Sequence, residues 1–444
     1  MNAGRHRVLA LLAAAGLLAM IQQQLLLRRP PRLLGLQSST ASSGPAALSV
    51  RFSRPMQPAS LTARSRLQPA HPHQWLGESN PLRLLLTTGQ PLTGPIALQI
   101  AGLDHRGQAL PPQRWIWDPR PRLLAVVPLR HGEQLQLQRR DGRWQALTPP
   151  LPRISAVMPL GDGSGIALVS MEPRGQRVWR LSLQQAALAR QPGAEPRATG
   201  LELLLPEPQL YAHLSSNRRG DLLVQASSTN LGRSRTQIWL RGGERRELPV
   251  EASGAMQLLP QGGAVVVPEL DGLSLQPLVA GAQVAAARRQ VLPGSRDLSS
   301  FCPVSGRALL LRHWPDFRRS LELVEPGQPP RQLWLGSAGV LGSACRLGGE
   351  RVWLLLSTWR GALQLRLLEL NREGRILRQL RLDGWAAEPG TALLYDPTRE
   401  ALLLTLQAAG RDQAQPVLIE TAGASLTLRP IAKPVRQALW LPAG

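Results

Sequence analysis

The two cysteines of this chain sit in two copies of one pattern. Leu298-Ser-Ser300-Phe-Cys302-Pro-Val-Ser-Gly306 is matched, 43 residues further on, by Leu341-Gly-Ser343-Ala-Cys345-Arg-Leu-Gly-Gly349, without a gap. Each copy runs into an apolar strand, Ala308 to Leu311 and Arg351 to Leu354. A fixed period of this size marks an array of supersecondary units, none of which can bury its apolar faces alone.

The pattern extends well beyond the cysteines. Turns with Pro or Asp, and usually Gly, fall at Asp118-Pro119, Pro159 to Gly163, Ser216 to Gly220, Pro260 to Gly263, Pro303 to Gly306, Arg346 to Gly349 and Asp396-Pro397. Each precedes a strongly apolar strand, among them Leu123 to Val127, Ile166 to Val169, Leu309 to Leu311 and Leu402 to Leu404. Further strands fit inside each period, as at Gln176 to Leu183 and Gln364 to Leu370. Gln191 to Pro206, rich in Pro and Gly, reads as a surface loop. Seven four-stranded units of this length predict a seven-bladed β-propeller over residues 118–444. The final strand, Gln437 to Leu441, is placed to close the ring on the first blade. Trp115 to Trp117 could end the preceding unit or begin the first blade, so six or eight blades stay open. In general outline the repeats resemble WD40-like or TolB-like propellers, although no Gly-His or Trp-Asp signature is present.

Cys302 and Cys345 occupy equivalent positions on neighbouring inner strands, just before a turn. Such positions approach near the axis, within reach of the ~4.4–6.8 Å Cα separation of a disulfide. Two arrangements are open: an inter-blade disulfide in an exported domain, or two thiols buried as small apolar groups.

Compartment is read from the N-terminus. Arg5, His6 and Arg7 precede the apolar run Val8 to Ile21; Gln22 to Gln24 interrupt it, Leu25 to Leu27 resume it, and Arg28-Arg29 close it. Val8 to Leu27 is long enough to span a bilayer as a helix at ~1.5 Å per residue. No small-x-small site follows closely, the first being Ser39-Thr40-Ala41. Residues 1–35 therefore read as an uncleaved signal anchor that attaches the chain to a membrane and exports the bulk to the periplasmic or extracellular side. A secreted product of signal-peptide cleavage is the alternative. Residues 36–46, small and polar, read as a linker.

Residues 47–117 read as a small β-sandwich, with strands at Ala47 to Phe52, Leu82 to Leu86 and Pro95 to Ile100. Val50-Arg-Phe52-Ser53-Arg-Pro55-Met56-Gln-Pro58-Ala-Ser60-Leu61 resembles the opening of bacterial SbsA-type Ig-like domains. Leu98-Gln-Ile100-Ala-Gly102-Leu-Asp104-His-Arg-Gly107 is similar to their second signature, a strand leading into G-x-D-x-x-G. The tyrosine usual in that strand is replaced by Ile96 or Leu98. The resemblance covers about 70 of the 444 residues. It implies an Ig-like sandwich of secreted and surface proteins, a spacer or adhesion module without catalysis. The fold expected for the whole chain is all-β: N-terminal hydrophobic helix, Ig-like sandwich, propeller.

The net charge is +23, and Lys433 is the only lysine. Arginine is scattered in pairs such as Arg139-Arg140, Arg218-Arg219 and Arg288-Arg289, without a block or interleaved aromatics. A genome that favours arginine codons accounts for this, and no specific nucleic-acid binding is expected. Attraction to anionic surfaces follows as a side effect.

No residue pattern assigns catalysis, a metal or a cofactor. His71-Pro72-His73 lacks a third ligand and reads as a solvated loop. Gly161-Asp162-Gly163-Ser164-Gly165 is neither a nucleophile elbow nor a dinucleotide loop, and its place in the repeat makes it a hairpin turn. His313-Trp314-Pro315-Asp316 reads as a surface loop at a propeller face. Trp144, Trp179, Trp239, Trp334, Trp359 and Trp385 recur about once per repeat, as packing between blades or, alternatively, as sugar-stacking platforms. The function expected is a non-enzymatic cell-envelope scaffold, or a recognition protein that binds protein or glycan. The alternatives are an envelope glycan hydrolase or lyase that uses the propeller channel, and an arginine-driven binder of anionic polymer or lipid.

Overall fold

In most blades the strand that follows the turn is buried on both faces. Ile166, Ala167, Leu168 and Val169 are wholly buried, as are Leu402, Leu403 and Leu404. A two-sided apolar run belongs in the middle of a layered sheet. The outermost strands are largely exposed instead; in Ile376–Arg381 four of the six residues are exposed and half are Arg or Gln. Charged outer strands of this kind resist edge-to-edge pairing with other sheets.

The computed structural model describes residues 12, 14–24, 29–39, 45–78, 80–87, 90–190, 193–228, 234–278, 290–359, 361–387 and 390–443. From Arg122 onward these form a β-propeller of seven antiparallel blades, of which the second and third are joined into one sheet by the pairing of Gln176 with Gln209. Strands are lettered A to D from the axis outward. Blade two is Ile154–Pro159, Gly165–Glu172, Gly175–Gln184 and Arg197–Leu203. Blade three runs Gln209–Ser216 to Arg245–Leu248, and blade four Gln257–Leu258 to Gln290–Pro293. Blade five runs Arg296–Phe301 to Arg331–Gly336, blade six Gly339–Arg346 to Ile376–Arg381, and blade seven Trp385–Ala387 to Thr427–Pro430. Blade one takes strands B to D from Arg122–Leu129, Gly132–Gln138 and Trp144–Ala146, but its A strand is the C-terminal Gln437–Leu441. Ala438 opposite Ala125 and Leu439 opposite Leu124 close the ring.

Among the described residues, six of the seven seams between blades carry a buried cluster. The seventh, between blades four and five, is looser. Leu275, Leu298 and Phe301 are only half-buried there, around an apolar cavity of about 360 Å³.

The segment before the propeller forms two facing sheets. One contains β1 (Leu33–Ser39), β2 (Ala47–Phe52), β4 (His73–Leu76) and β5 (Leu82–Leu86), in the order β1-β2-β5-β4. The other contains β3 (Arg66–Gln68), β6 (Ile96–Ile100) and β7 (Gln113–Trp117). Leu48, Val50, Phe52, Leu84, Ile96, Leu98 and Trp117 fill the space between them. A short helix, α1 (Pro58–Arg64), drops Leu61 into this core. The two stretches singled out in the sequence meet here. Met56 bridges to Asp104, Gln57 N donates to Leu103 O (3.0 Å), and Ser60 Oγ accepts from Leu103 N (2.9 Å). Asp104 Oδ1 accepts from Arg106 N and Gln108 N (2.9 and 2.8 Å), which closes the turn. A Cβ on Gly102 would lie 2.7 Å from Leu61 Cδ2, so the first glycine of that pattern makes room for the helix.

Three segments differ from the sequence reading. Leu33 to Gly35, assigned to the anchor, and Leu36 to Ser39, assigned to a linker, form β1, paired with β2. Small polar residues here are compatible with an edge strand because its outer face stays wet. Arg197–Leu203, placed in a surface loop, is the D strand of blade two. Its Leu201-Glu202-Leu203 alternation was masked by flanking Pro and Gly. Half of the rest of the expected anchor lies outside the described residues: 12 and 14–24 are helical and exposed, and 29–32 are described, while 1–11, 13 and 25–28 are not. Among the described residues no helix is long and apolar enough to cross a membrane.

Removing residues 437–444 strips the inner strand from blade one and uncovers Leu124 and Val126, both wholly buried. The truncated chain is expected to be cut by protease within blade one at temperatures where the full chain resists. Equal protease resistance and equal Tm in the two chains would show that the ring does not depend on this strand.

Candidate functional site

In an up-and-down blade the A–B and C–D turns share one face. The seven A–B turns gather around the axis there, and neighbours interlock. Gly161 N donates to Ser216 Oγ (3.2 Å), and Arg218 N donates to Pro260 O (2.8 Å). A Cβ on Gly161 would lie 2.4 Å from Asn217 O, which is why the blade-two turn needs glycine. The Gly161–Gly165 stretch is a hairpin turn, with Gly163 N on Leu160 O (2.8 Å) and Asp162 Oδ1 accepting from Ser164 N (3.0 Å).

The sandwich is docked on this face by contacts that use both backbone and charge. The C–D connection of blade two leaves the propeller, and its Leu188–Ala189 strand pairs with β7. Leu188 packs on the sandwich core. Arg190 lies 3.7 Å over the Trp115 ring and donates to Gln113 Oε1 (3.2 Å). Leu92 N donates to Thr398 O (2.7 Å), and Arg120 Nη1 to Thr93 O (2.7 Å). On the other side, Gln37 of β1 accepts from Arg241 Nη1 and Nη2 (2.9 and 2.8 Å) once its amide oxygen is turned to face them. Arg241 also reaches Asp162 Oδ2 at 3.4 Å. The sequence signal for this docking was slight, since a two-residue strand inside an insertion has no period to read.

Two composite cavities result. The first, about 740 Å³, lies between the Thr93–Pro95 loop and blades one and seven, and is crowded with arginine. Asp118 there binds Arg120 (2.9 Å) and pairs with Arg140. Burial pushes the Asp118 carboxyl up, but the Arg120 hydrogen bond and the Arg140 and Arg120 charges together hold it below its ordinary value. Arg140 is pulled down to about 9, first by burial and then by Arg122, Arg120 and Arg399, with Asp118 acting against them. The second cavity, about 820 Å³, lies between the outer face of the β1–β2–β5 sheet and the turns of blades two to five.

The remaining sequence candidates are dispersed. Cys302 and Cys345 are joined as a disulfide, with Cα atoms 5.4 Å apart, and both are buried. Beside them Ser343 Oγ lies 2.7 and 3.0 Å from Ser299 Oγ and Ser300 Oγ, so both repeated residue types face each other across the seam. His73 Nδ1 contacts only the His71 carbonyl (3.0 Å), and no group of metal-ligating residues occurs among the described residues. His313 Nε2 contacts Asp297 Oδ2 (2.7 Å) in the B–C loop of blade five, on the opposite face, while Asp316 is held by Arg318 (2.7 Å). Trp144, Trp179, Trp239, Trp334 and Trp385 pack into inter-blade clusters; Trp359 is 75% exposed.

Comparison with known proteins gives structural likeness alone. TolB of Acinetobacter baumannii is 12% identical, over 80% of this chain and 81% of its own, with a TM-score of 0.41. The β-propeller domain of the Trilobed protease of Pyrococcus furiosus is 11% identical, over 76% and 95%, with a TM-score of 0.43. An uncharacterised protein of Listeria monocytogenes is 11% identical, over 70% and 95%, with a TM-score of 0.44. No protein-family model matches the chain, and no curated protein does so.

Two predictions follow from the charges and the sulfurs. Asp118→Asn leaves the Arg120–Arg140 pair uncompensated and is expected to cost about 3 kcal/mol in urea unfolding at neutral pH. Because folding lowers the Asp118 pKa, its contribution is present above the unfolded value of 3.8 and is lost as pH falls through the folded value. The gap between wild type and variant should therefore narrow below that pH; a gap that stays constant counts against the assignment. For the cysteines, unfolded and unreduced protein should show no titratable thiol. Cys302→Ser with Cys345→Ser should lose about 4 kcal/mol, the chain-entropy value for a loop of this length. Two reactive thiols in the unreduced protein would sink the disulfide.

Proposed function

We propose that the chain is a non-enzymatic scaffold or recognition protein of the cell envelope, tethered through its N-terminal segment and with its bulk exported. In this reading residues 47–117 form an SbsA-type Ig-like module and residues 118–444 the propeller, with β1 and the Leu188–Ala189 strand completing the module from outside those limits. The mutual bonding of the Met56 and Asp104 segments supports the family reading, because the residues that carry the resemblance are those that hold each other. The observation that carries the functional reading is the seating of the sandwich on the A–B face. It creates two clefts walled by both units, each within the size range of ligand sites. A shared strand fixes their width, as a recognition surface requires.

Alkaline phosphatase fused after Gly444 should be active and membrane-associated, and replacing Val8 to Leu27 with polar residues should abolish both. A photo-crosslinking residue at Ser305, on the second cleft, should capture envelope protein or glycan that the same residue at exposed Arg366 does not. An inactive fusion, or identical capture at both positions, overturns the proposal.

A further inference from the structure

The second cleft is uneven in charge. Its two carboxylates are already engaged inside the protein. Asp162 binds Ser164 and faces Arg241, and Asp221 accepts from Asn217 Nδ2 (2.7 Å) and Arg241 N (2.9 Å). Three of its four arginines have no such partner. Arg218 and Arg219, on the A–B turn of blade three, and Arg83, on β5, make no ion pair among the described residues. Arg218 is half-buried, and burial alone lowers its pKa. Arg122 and Arg140, whose pKa values burial also lowers, face the carboxylates of Glu195 and Asp118; Arg218 faces none among the described residues. Other arginines are spent on carboxylates, within a blade as Arg296 on Glu322 and Arg436 on Glu133 (2.8 and 2.7 Å), or across a seam as Arg346 on Glu400 (2.8 Å).

We propose that the cleft between the sandwich and the propeller is a binding site for a compact multivalent anion, whose phosphate or carboxylate groups are held by Arg83, Arg218 and Arg219. The planar fork of arginine suits both groups bidentately. The cleft is recessed between two units, so a flat anionic membrane cannot reach it. Arg241, held by Asp162 and Gln37, fixes the wall against which the anion rests. This rests on reading the cleft as a recognition surface, but it is independent of where the protein resides.

The test uses the purified full chain, titrated calorimetrically with tripolyphosphate and, separately, with citrate at physiological salt. At least one is expected to bind one to one, and the better ligand tells phosphate from carboxylate. Arg218→Gln and Arg83→Gln should each weaken binding about tenfold, the loss of one charge-assisted hydrogen bond. Arg366→Gln, on the exposed C strand of blade six and likewise without an ion pair among the described residues, should leave it within about twofold. Equal weakening by all three variants would mean diffuse attraction to a basic surface and would overturn the site. So would the absence of saturable one-to-one binding by either anion. Neither failure touches the export of the protein, which the phosphatase fusion reads separately.

Discussion

The whole architecture hangs on one joint, the pairing of Gln437–Leu441 with Arg122–Leu129. It brings together segments separated by most of the chain, and closing a loop of that length costs roughly 5 kcal/mol in chain entropy before any contact is made. The joint offsets this in several ways at once. Leu439 and Leu441 enter the cluster between blades one and two, and Ala438 the one between blades seven and one. Arg436 donates its backbone N–H to Val126 O (2.8 Å) and its side chain to Glu133 (2.7 Å), and Ala438 N donates to Thr405 Oγ1 (2.9 Å). Once the ring closes, the A–B turns are forced into one circle. Their crowding fixes which of them need glycine and sets the floor on which the sandwich rests.

What the sequence made legible follows from burial. Strand B is buried on both faces in most blades, so it carries an apolar run, and the preceding turn needs a tight bend; together these produce a readable period. The inner strand of blade four, only Gln257–Leu258, and the outer strand Arg197–Leu203 carry too few inward residues to stand out. β1 was missed for a related reason: as an edge strand it satisfies its backbone against β2 alone, so nothing obliges its residues to be apolar. The clefts were invisible because their walls are assembled from β1, β5, a two-residue strand and turns of four blades. No local pattern records that convergence.

Arginine shows the same limit in another form. In the sequence its abundance looks like a bias of composition, evenly spread. In the folded chain its residues divide into different kinds. Glu369, wholly buried, is clamped by Arg351 and Arg378; Glu325 is clamped by Arg307 from its own blade and Arg372 from the next. The hydrogen bond from Arg372 holds Glu325 below its ordinary value. Such pairs add little net stability over an apolar contact, but removing one partner is severe; the Glu369 pairs lock strands within blade six, and the Arg372–Glu325 pair ties blade six to blade five. Arg218 has the same side chain and a similar degree of enclosure without the carboxylate. The distinction lies wholly in what the fold places opposite, and the residue type alone cannot carry it.

The disulfide also gains meaning from its surroundings. Blade five has a packed seam on one side, where Cys302, Leu309 and Leu323 meet Cys345, Leu354 and Leu370. On its other side lies the loose seam with blade four. A ring of blades is held by nearest-neighbour contacts, so its weakest seam limits the cooperativity of the whole. A covalent link at the loose seam would have to join strands whose facing residues are only half-buried and whose inner partner is two residues long. Placed one seam away, it joins two full A strands already aligned by the Ser299–Ser343 and Ser300–Ser343 hydrogen bonds. There it adds a covalent tie between blades five and six, beside the seam that packs less closely among the described residues.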